Sequence, residues 1–352
     1  MGIRTTTITP QQFLDGIKPE EIFFYDKKFY FSYSSINKLL YCPEIFYREY
    51  ILGEKDVKDE TYLTEGRLIH CLLLEPKKFD EQFIVMTGKM PGDNTKTVVD
   101  RVYAHHLELY DSGEPYRGET LADYQNAIID VLKDMNLHQS LKTDEQRFAK
   151  IYTADANLYW EFLFKSRGKQ IVDSEMYEKC KNIVEKIRVN KEISELLSLN
   201  SDSEWWKTID VYNEVPLEME LKKFKFGLKG IIDNFVVDPL TKTIKINDFK
   251  TTSKTLADFP ETVKFYKYNL QAAIYVLLIN YKYADLIKDG YKVEFRFIVI
   301  DKNQQMYPFL VSDATMKEWM VELHSVLTTV DYHYTNKDYT LPYQFIKEQF
   351  II

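Results

Sequence analysis

Two short stretches constrain the fold of this chain more than any others: Gly230-Ile231-Ile232-Asp233 and, fifteen residues beyond its acid, Asp248-Phe249-Lys250. Both read as strands. Strand side chains alternate between faces, so Asp233 shares a face with Phe235 and Val237, and on the next strand Ile244, Ile246, Asp248 and Lys250 share one. The link Asp238-Pro239-Leu240-Thr241-Lys242 is made of turn formers and is short enough to keep the strands antiparallel neighbours. Paired carboxylates at a sheet edge hold hard divalent cations through oxygen. A lysine beside them can orient water or stabilise charge growing on a phosphate. The competing reading is two exposed strands with ordinary surface charges, and Asp-x-Lys by itself is too short to decide between them.

The rest of the chain narrows the choice. Its 352 residues suffice for one large domain or two ordinary ones, and 45% apolar with 28% charged residues describes a soluble globular protein. Cys42, Cys71 and Cys180 are far apart and form no Cys-x-x-Cys pair, which argues against a disulfide framework or structural zinc and fits a reducing compartment. The longest apolar run, Ala272 to Ile279, is too short to span a membrane. The N-terminus lacks the apolar core of a signal peptide, and Gly2 with Thr6 makes only a poor myristoylation signal. A net charge of -8 excludes a protein that coats nucleic acid nonspecifically, yet leaves room for a local basic channel.

Pattern and punctuation predict the order of elements. An irregular lead-in of about thirty residues contains a short strand from Ile22 to Tyr33, and serines from Ser32 cap a helix carrying Ile36, Leu39 and Leu40. Cys42-Pro43 opens a second helical turn, and Thr61 to Leu74 reads as a mostly apolar helix. Loops at Gly88–Asn94 and Asp111–Pro115 bracket a short helix; Asp155 to Phe164 reads as a strand pair turning at Ser166-Arg167-Gly168. Ser174 to Leu199 carries an amphipathic helix or pair of helices. Strands follow from Thr208 through Phe249, then a helix from Pro260 to Tyr283, a strand from Val293 to Ile300 and a helix from Met316 to Val330. These predict one α/β domain over 1–352, with a helical elaboration over roughly 80–205 and the core motifs at 60–75 and 208–300.

Further residues gather around the acid pair in sequence. Gly66 and His70 lie four apart on one helical face, where His70 is either a metal or phosphate contact or a hydrogen-bonded core residue. Glu214 and Glu218 precede the Asp233 strand with the same parity, and Pro216 between them breaks the pattern that would choose one. Tyr268, Gln271 and Tyr275 share one face of the helix after Asp248, a packing stripe on the plainest reading. Lys222, Lys223, Lys225 and Lys229 on one side, with Lys254, Lys264 and Lys267 on the other, offer phosphate contacts or a solvated face. Phe224 and Tyr266 among them offer stacking surfaces for a frayed end.

In that order, Gly66/His70, Glu214 or Glu218, Gly230/Asp233, Asp248/Lys250/Thr251 and Gln271/Tyr275 resemble the motifs of the PD-(D/E)xK nuclease superfamily, and within it the RecB-like and RecE-like exonuclease branch. The likeness spans roughly residues 30 to 280. It implies a restriction-endonuclease-like core, a central mixed sheet flanked by helices, and Mg²⁺- or Mn²⁺-dependent hydrolysis of DNA from its ends. Asp233, Asp248 and the backbone carbonyl of Phe249 would hold the metal, with His70 and Glu214 or Glu218. Lys250 would handle the water or the phosphate charge, and Gln271 with Tyr275 would support the nucleophile or the strand end. The family's cluster-bearing members use four cysteines; here only Cys42 sits near such a position, so no iron–sulfur cluster is expected. No phosphate loop is present, so a helicase, recombinase or single-strand annealing partner would be a separate chain. The resemblance further implies linear double-stranded DNA as substrate, a role in phage or prophage recombination in a bacterial or phage-infected cytoplasm, and a ring-shaped homo-oligomer. Other classes are a structure-specific endonuclease, a DNA-binding or structural protein that keeps the fold, and a metal-independent interaction module.

Overall fold

The computed structural model describes residues 18–54, 61–111, 120–199 and 208–347. The expected lead-in lies outside them as far as residue 17, as does the part of the expected Asp111–Pro115 loop beyond residue 111. The chain divides into two compact units, Met1–Asp59 with Ile187–Ile352, and Glu60–Lys186. The elaboration expected over roughly 80–205 falls mostly in the second, which begins earlier.

The first unit opens with α1, Pro19–Asp26. Proline at the start loses no helical hydrogen bond, and Glu20 and Glu21 suit the positive end of the helix dipole. These signals override the strand expected from Ile22, of which only β1, Tyr30–Phe31, forms. Ser32 then caps α2, Tyr33–Tyr41: its hydroxyl accepts the Ser35 N–H while Ser35 Oγ accepts the Ser32 N–H. Helix α3, Pro43–Phe46, follows.

The second unit comprises α4 Thr61–Leu74, β2 Phe83–Met86, α5 Asp93–Asp111, α6 Gln125–Asp134, α7 Asp144–Ile151, α8 Ala154–Ser166, β3 Gln170–Asp173 and α9 Ser174–Val189, whose last turn lies beyond it. Strands β2 and β3 pair in parallel. Its core gathers Val98, Val102, Ile128, Leu132 and Tyr159 around the fully buried Trp160. Helix α8 replaces the strand pair expected at Asp155–Phe164. Ala156, Tyr159 and Trp160 are buried with Leu163 partly so, a 3.6-residue repeat, and Thr153 Oγ1 caps the helix by accepting the Ala156 N–H. The aromatic residues that suggested a strand are the inward stripe of a helix.

The chain then forms α10 Lys191–Leu196, β4 Asp210–Glu220, β5 Gly227–Asp238, β6 Thr243–Thr251, α11 Phe259–Tyr266, α12 Tyr268–Lys282, β7 Lys292–Ile300, β8 Met306–Val311 and α13 Asp313–Asn336. The sequence reading missed β8. The sheet is mixed: β4–β5–β6 and β7–β8 are antiparallel, and β6 runs parallel to β7 through the α11–α12 crossover. Helix α12 is buried around most of its circumference and packs on the face that carries Phe235, Ile246 and Phe297. On the other face, Asn234 and Asn247 bond each other and donate to the carbonyls of Leu197 and Leu196, satisfying the end of α10.

One irregularity positions everything that follows. Strand β4 pairs with β5 from Gly227 to Val237, so β1 and β6 must both use the other edge of β5. Strand β1 takes Gly227–Leu228 and β6 takes Asn234–Asp238. Among the described residues, no strand claims Lys229–Asp233 on that edge.

Candidate active site

The register lines up a row of side chains across five strands. Asn213 pairs with Asn234 and Val215 with Ile232, so Glu214 stands opposite Asp233. Extending the Asn234–Asn247 pair by one residue sets Asp233 opposite Asp248. Asp248 pairs with Phe297, and Phe297 with Phe309. Paired residues share a face. The rung therefore reads Glu214, Asp233, Asp248, Phe297, Phe309: three acids, then two phenyl rings.

Each acid is held differently. Where β6 parts from β5, Asp233 Oδ2 accepts the Phe249 N–H at 2.7 Å, so a side chain stands in for the missing backbone acceptor. Asp248 is wholly buried, and Lys250 Nζ lies 2.6 Å from its Oδ2. Glu214 sits in β4 with φ 49°, a left-handed conformation that costs about 1–3 kcal/mol for a side chain other than glycine. That distortion interrupts the ladder opposite Asp233, and the two carboxylates offer oxygens within 4.8 Å of each other. Glu218 is paired instead with Lys229, four residues along the strand and about 13 Å away. The register thus separates the two glutamates that sequence left equivalent: Glu214 is beside Asp233 and Glu218 is not.

Burying Lys250 would lower its pKa, but the attraction of Asp248 and then Asp233 outweighs burial and raises it. Its ammonium lies 5.0 Å from the Tyr268 ring centroid, a cation–π contact. Tyr33 comes close to the same place from α2; its hydroxyl donates to the Tyr266 carbonyl, and burial, Tyr268 and Asp248 raise its pKa. Sequence reading gave Tyr33 no role and read Tyr268 as packing; its place three residues before Gln271, on one helical face, was the available signal.

Gln271 Nε2 donates to Tyr275 Oη at 3.0 Å, while Gln271 Oε1 is buried and accepts no hydrogen bond from the described residues. Burial, and then Asp233 and Asp248, hold the Tyr275 pKa well above normal, so its hydroxyl stays protonated. The Tyr275 ring explains Gly230. A Cβ there would lie 2.7 Å from the ring, so only glycine admits it against β5. The Phe249 carbonyl, expected as a metal contact, belongs to the residue whose N–H Asp233 accepts, and the N–H and C=O of one strand residue face the same edge.

The remaining candidates lie as follows. His70 is half-buried on α4 of the second unit, one turn after Gly66. Lys222, Lys223 and Lys225 are exposed in the β4–β5 turn, and Lys229 is exposed on β5. Lys254 and Lys264 are exposed beyond β6, the first over the Phe265 ring and the second ion-paired with Glu261. Lys267 joins α11 to α12 in a left-handed conformation.

Glu214 and Asp233 offer hard oxygen donors within 4.8 Å of each other, with the buried Asp248–Lys250 pair next in the row, and hard oxygen donors suit Mg²⁺ or Mn²⁺. The sequence profile of the PD-(D/E)XK nuclease superfamily matches residues 30–329, and the chain belongs to that superfamily. Among solved structures it is similar to one from Eubacterium rectale described as a "Putative exonuclease", at 11% identity and a TM-score of 0.48, over 96% of this chain and 94% of that one. No curated protein matches. Among the described residues, no helix is long and apolar enough to cross a membrane.

Proposed function

We propose that the protein is a Mg²⁺- or Mn²⁺-dependent exodeoxyribonuclease acting on the ends of linear double-stranded DNA. The observation that carries this reading is the acid rung with Lys250 ion-paired beside it. Glu214, Asp233 and Asp248 would hold the metal, and the Gly66–His70 motif adds His70 as a further ligand. Bound there, the ion would polarise the scissile phosphate and lower the pKa of a water. Lys250, held by Asp248, donates to the phosphate oxygen that gains charge. Gln271 Oε1 accepts from the attacking water, and the Tyr275 hydroxyl, fixed by Gln271 Nε2, steadies the acids it neighbours. Lys222, Lys223, Lys225, Lys229, Lys254, Lys264 and Lys267 bind phosphates without reading sequence. The exonuclease mode, the recombination role in a phage or prophage, a separate annealing or recombinase partner and a ring of subunits rest on the RecB-like and RecE-like motifs.

The test is one assay on two substrates. Linear duplex should be degraded with Mg²⁺ or Mn²⁺ and left intact in EDTA, while covalently closed circles survive. Equal loss of circles would make the protein an endonuclease, and intact DNA in every form would sink the nuclease reading.

A further inference from the structure

The acid rung does not end at Asp248. Phe297 and Phe309 continue it and help line a cleft of about 530 Å³, walled by Phe259 and Trp319. The Phe259 ring lies 5.4 Å from that of Phe297 and 5.0 Å from that of Phe309. Lys264 and Lys267 also line the cleft, as do Asn269 and Glu322, which bond each other at 2.7 Å. Tyr268 connects it to the chemistry: its ring is 6.2 Å from Phe297 and lies under the Lys250 ammonium.

We propose that this cleft receives a base of the DNA strand being cut, within about three nucleotides of the scissile bond; the proposal rests on the nuclease reading. Strands in a sheet lie about 4.8 Å apart, so Phe309 is about 10 Å from Asp248 across the rung. Stacked nucleotides repeat every ~3.4 Å along a strand, so a phosphate at Asp248 and Lys250 leaves a base only a few steps away within reach. The lining suits a base and its phosphate together. The part-exposed Phe309 and Trp319, backed by the buried Phe259 and Phe297, can stack on a base of any kind, two lysines neutralise the backbone, and one polar pair lies near a base edge. The strongest rival occupant is a second copy of this chain, since Leu310 at the cleft is an exposed apolar residue.

The experiment uses the full chain in EDTA at low salt, so that DNA is bound but not cut. Two blunt duplexes differ only in whether the three terminal nucleotides of one strand carry bases or are abasic. Fluorescence anisotropy should show the base-bearing end bound about tenfold more tightly. Trp319→Ala should abolish that preference. The rim variant Leu310→Glu, chosen because an exposed position tolerates change, should abolish it as well. Lys264→Ala should weaken both ends equally. Equal binding of the two ends by the unaltered protein, or a preference that survives in Leu310→Glu, overturns the proposal and leaves the nuclease reading intact. A dimer that Leu310→Glu dissociates without touching end preference also overturns it. Failure to bind either duplex overturns this proposal, while the nuclease reading stands or falls on the cleavage assay.

Discussion

The two units bury opposite kinds of side chain. In the first, Asp233, Asp238, Asp248 and Asp301 are all buried; among the described residues of the second, no carboxylate is, and its buried polar groups are Thr64, His106 and Ser166. The four aspartates themselves divide into two kinds. Asp238 accepts the N–H groups of Leu240 and Thr241 with the Lys245 ammonium, and Asp301 accepts those of Asn303 and Gln305. Both brace turns within a few residues of themselves. Asp233 and Asp248 brace no turn: one reaches Phe249 on the neighbouring strand, the other faces Lys250 on its own. Burying a lysine–carboxylate pair gains little net stability, because desolvation offsets the attraction. That cost agrees with the catalytic role proposed for Asp233, Asp248 and Lys250. The second unit packs an apolar core around Trp160.

If that division holds, substitutions in the two places fail differently. The largest effect should be on turnover: Asp248→Asn or Asp233→Asn should lower the cleavage rate at least a thousandfold, about 4 kcal/mol, with weaker metal binding by calorimetry. Lys250→Ala should lose the rate similarly while metal affinity holds or improves, since it deletes a positive charge beside the ion. Metal affinity lost in the lysine variant and kept in the aspartate variants would invert the assignment. Next comes Trp160→Ala, expected to cost about 3–5 kcal/mol by denaturant melts with the rate per folded molecule unchanged. A rate loss there beyond the unfolded fraction would break the division of labour.

His70 is the proposed ligand that belongs to the second unit, so it tests that division of labour most directly. As a metal ligand its replacement by alanine should cut the rate at least tenfold, about 1.4 kcal/mol, with Tm little changed. Lost stability at an unchanged specific rate would make it a packing residue. Gly230→Ala should cost about 1–3 kcal/mol by forcing the Tyr275 ring aside, with a rate loss in the same direction as that of Tyr275→Phe, which removes the hydroxyl and leaves the ring in place.

The smallest effect is on pH. Burial lowers the pKa of His106 in the second unit and of His333 in the first below the ordinary 6.5. A depressed folded pKa means that the unfolded chain binds the proton more readily. The stability held above pH 6.5 should therefore decline as the pH falls through the folded values. Melts from pH 7.5 to 5.5 should show that decline, and it should shrink by part in His106→Phe and in His333→Phe. An unchanged slope in both variants would rule these histidines out.

Local pattern was enough to fix the chemistry-bearing strands. Period-two alternation placed Asp233 with Phe235 and Val237, and Asp248 with Lys250, and the Asp238–Lys242 turn made their strands neighbours, because both depend only on residues close in sequence. The same logic gave α4 and the serine cap at Ser32, and it gave the helix from Pro260 to Tyr283, which the left-handed Lys267 breaks into α11 and α12. It failed at α8, where aromatic residues with strand preference lie inward at helical spacing and only burial around Trp160 chooses the helix. Choosing between Glu214 and Glu218 was beyond sequence as well. They have the same parity on one strand, and the choice depends on the pairing register with β5, a long-range property. The continuation of the rung into Phe297 and Phe309 required β7 and β8, elements 49 and 61 residues beyond Asp248. Sequence set which side chains are candidates for the chemistry; tertiary structure decided which of them meet, because strands far apart in the chain acquire a common row only when the sheet assembles.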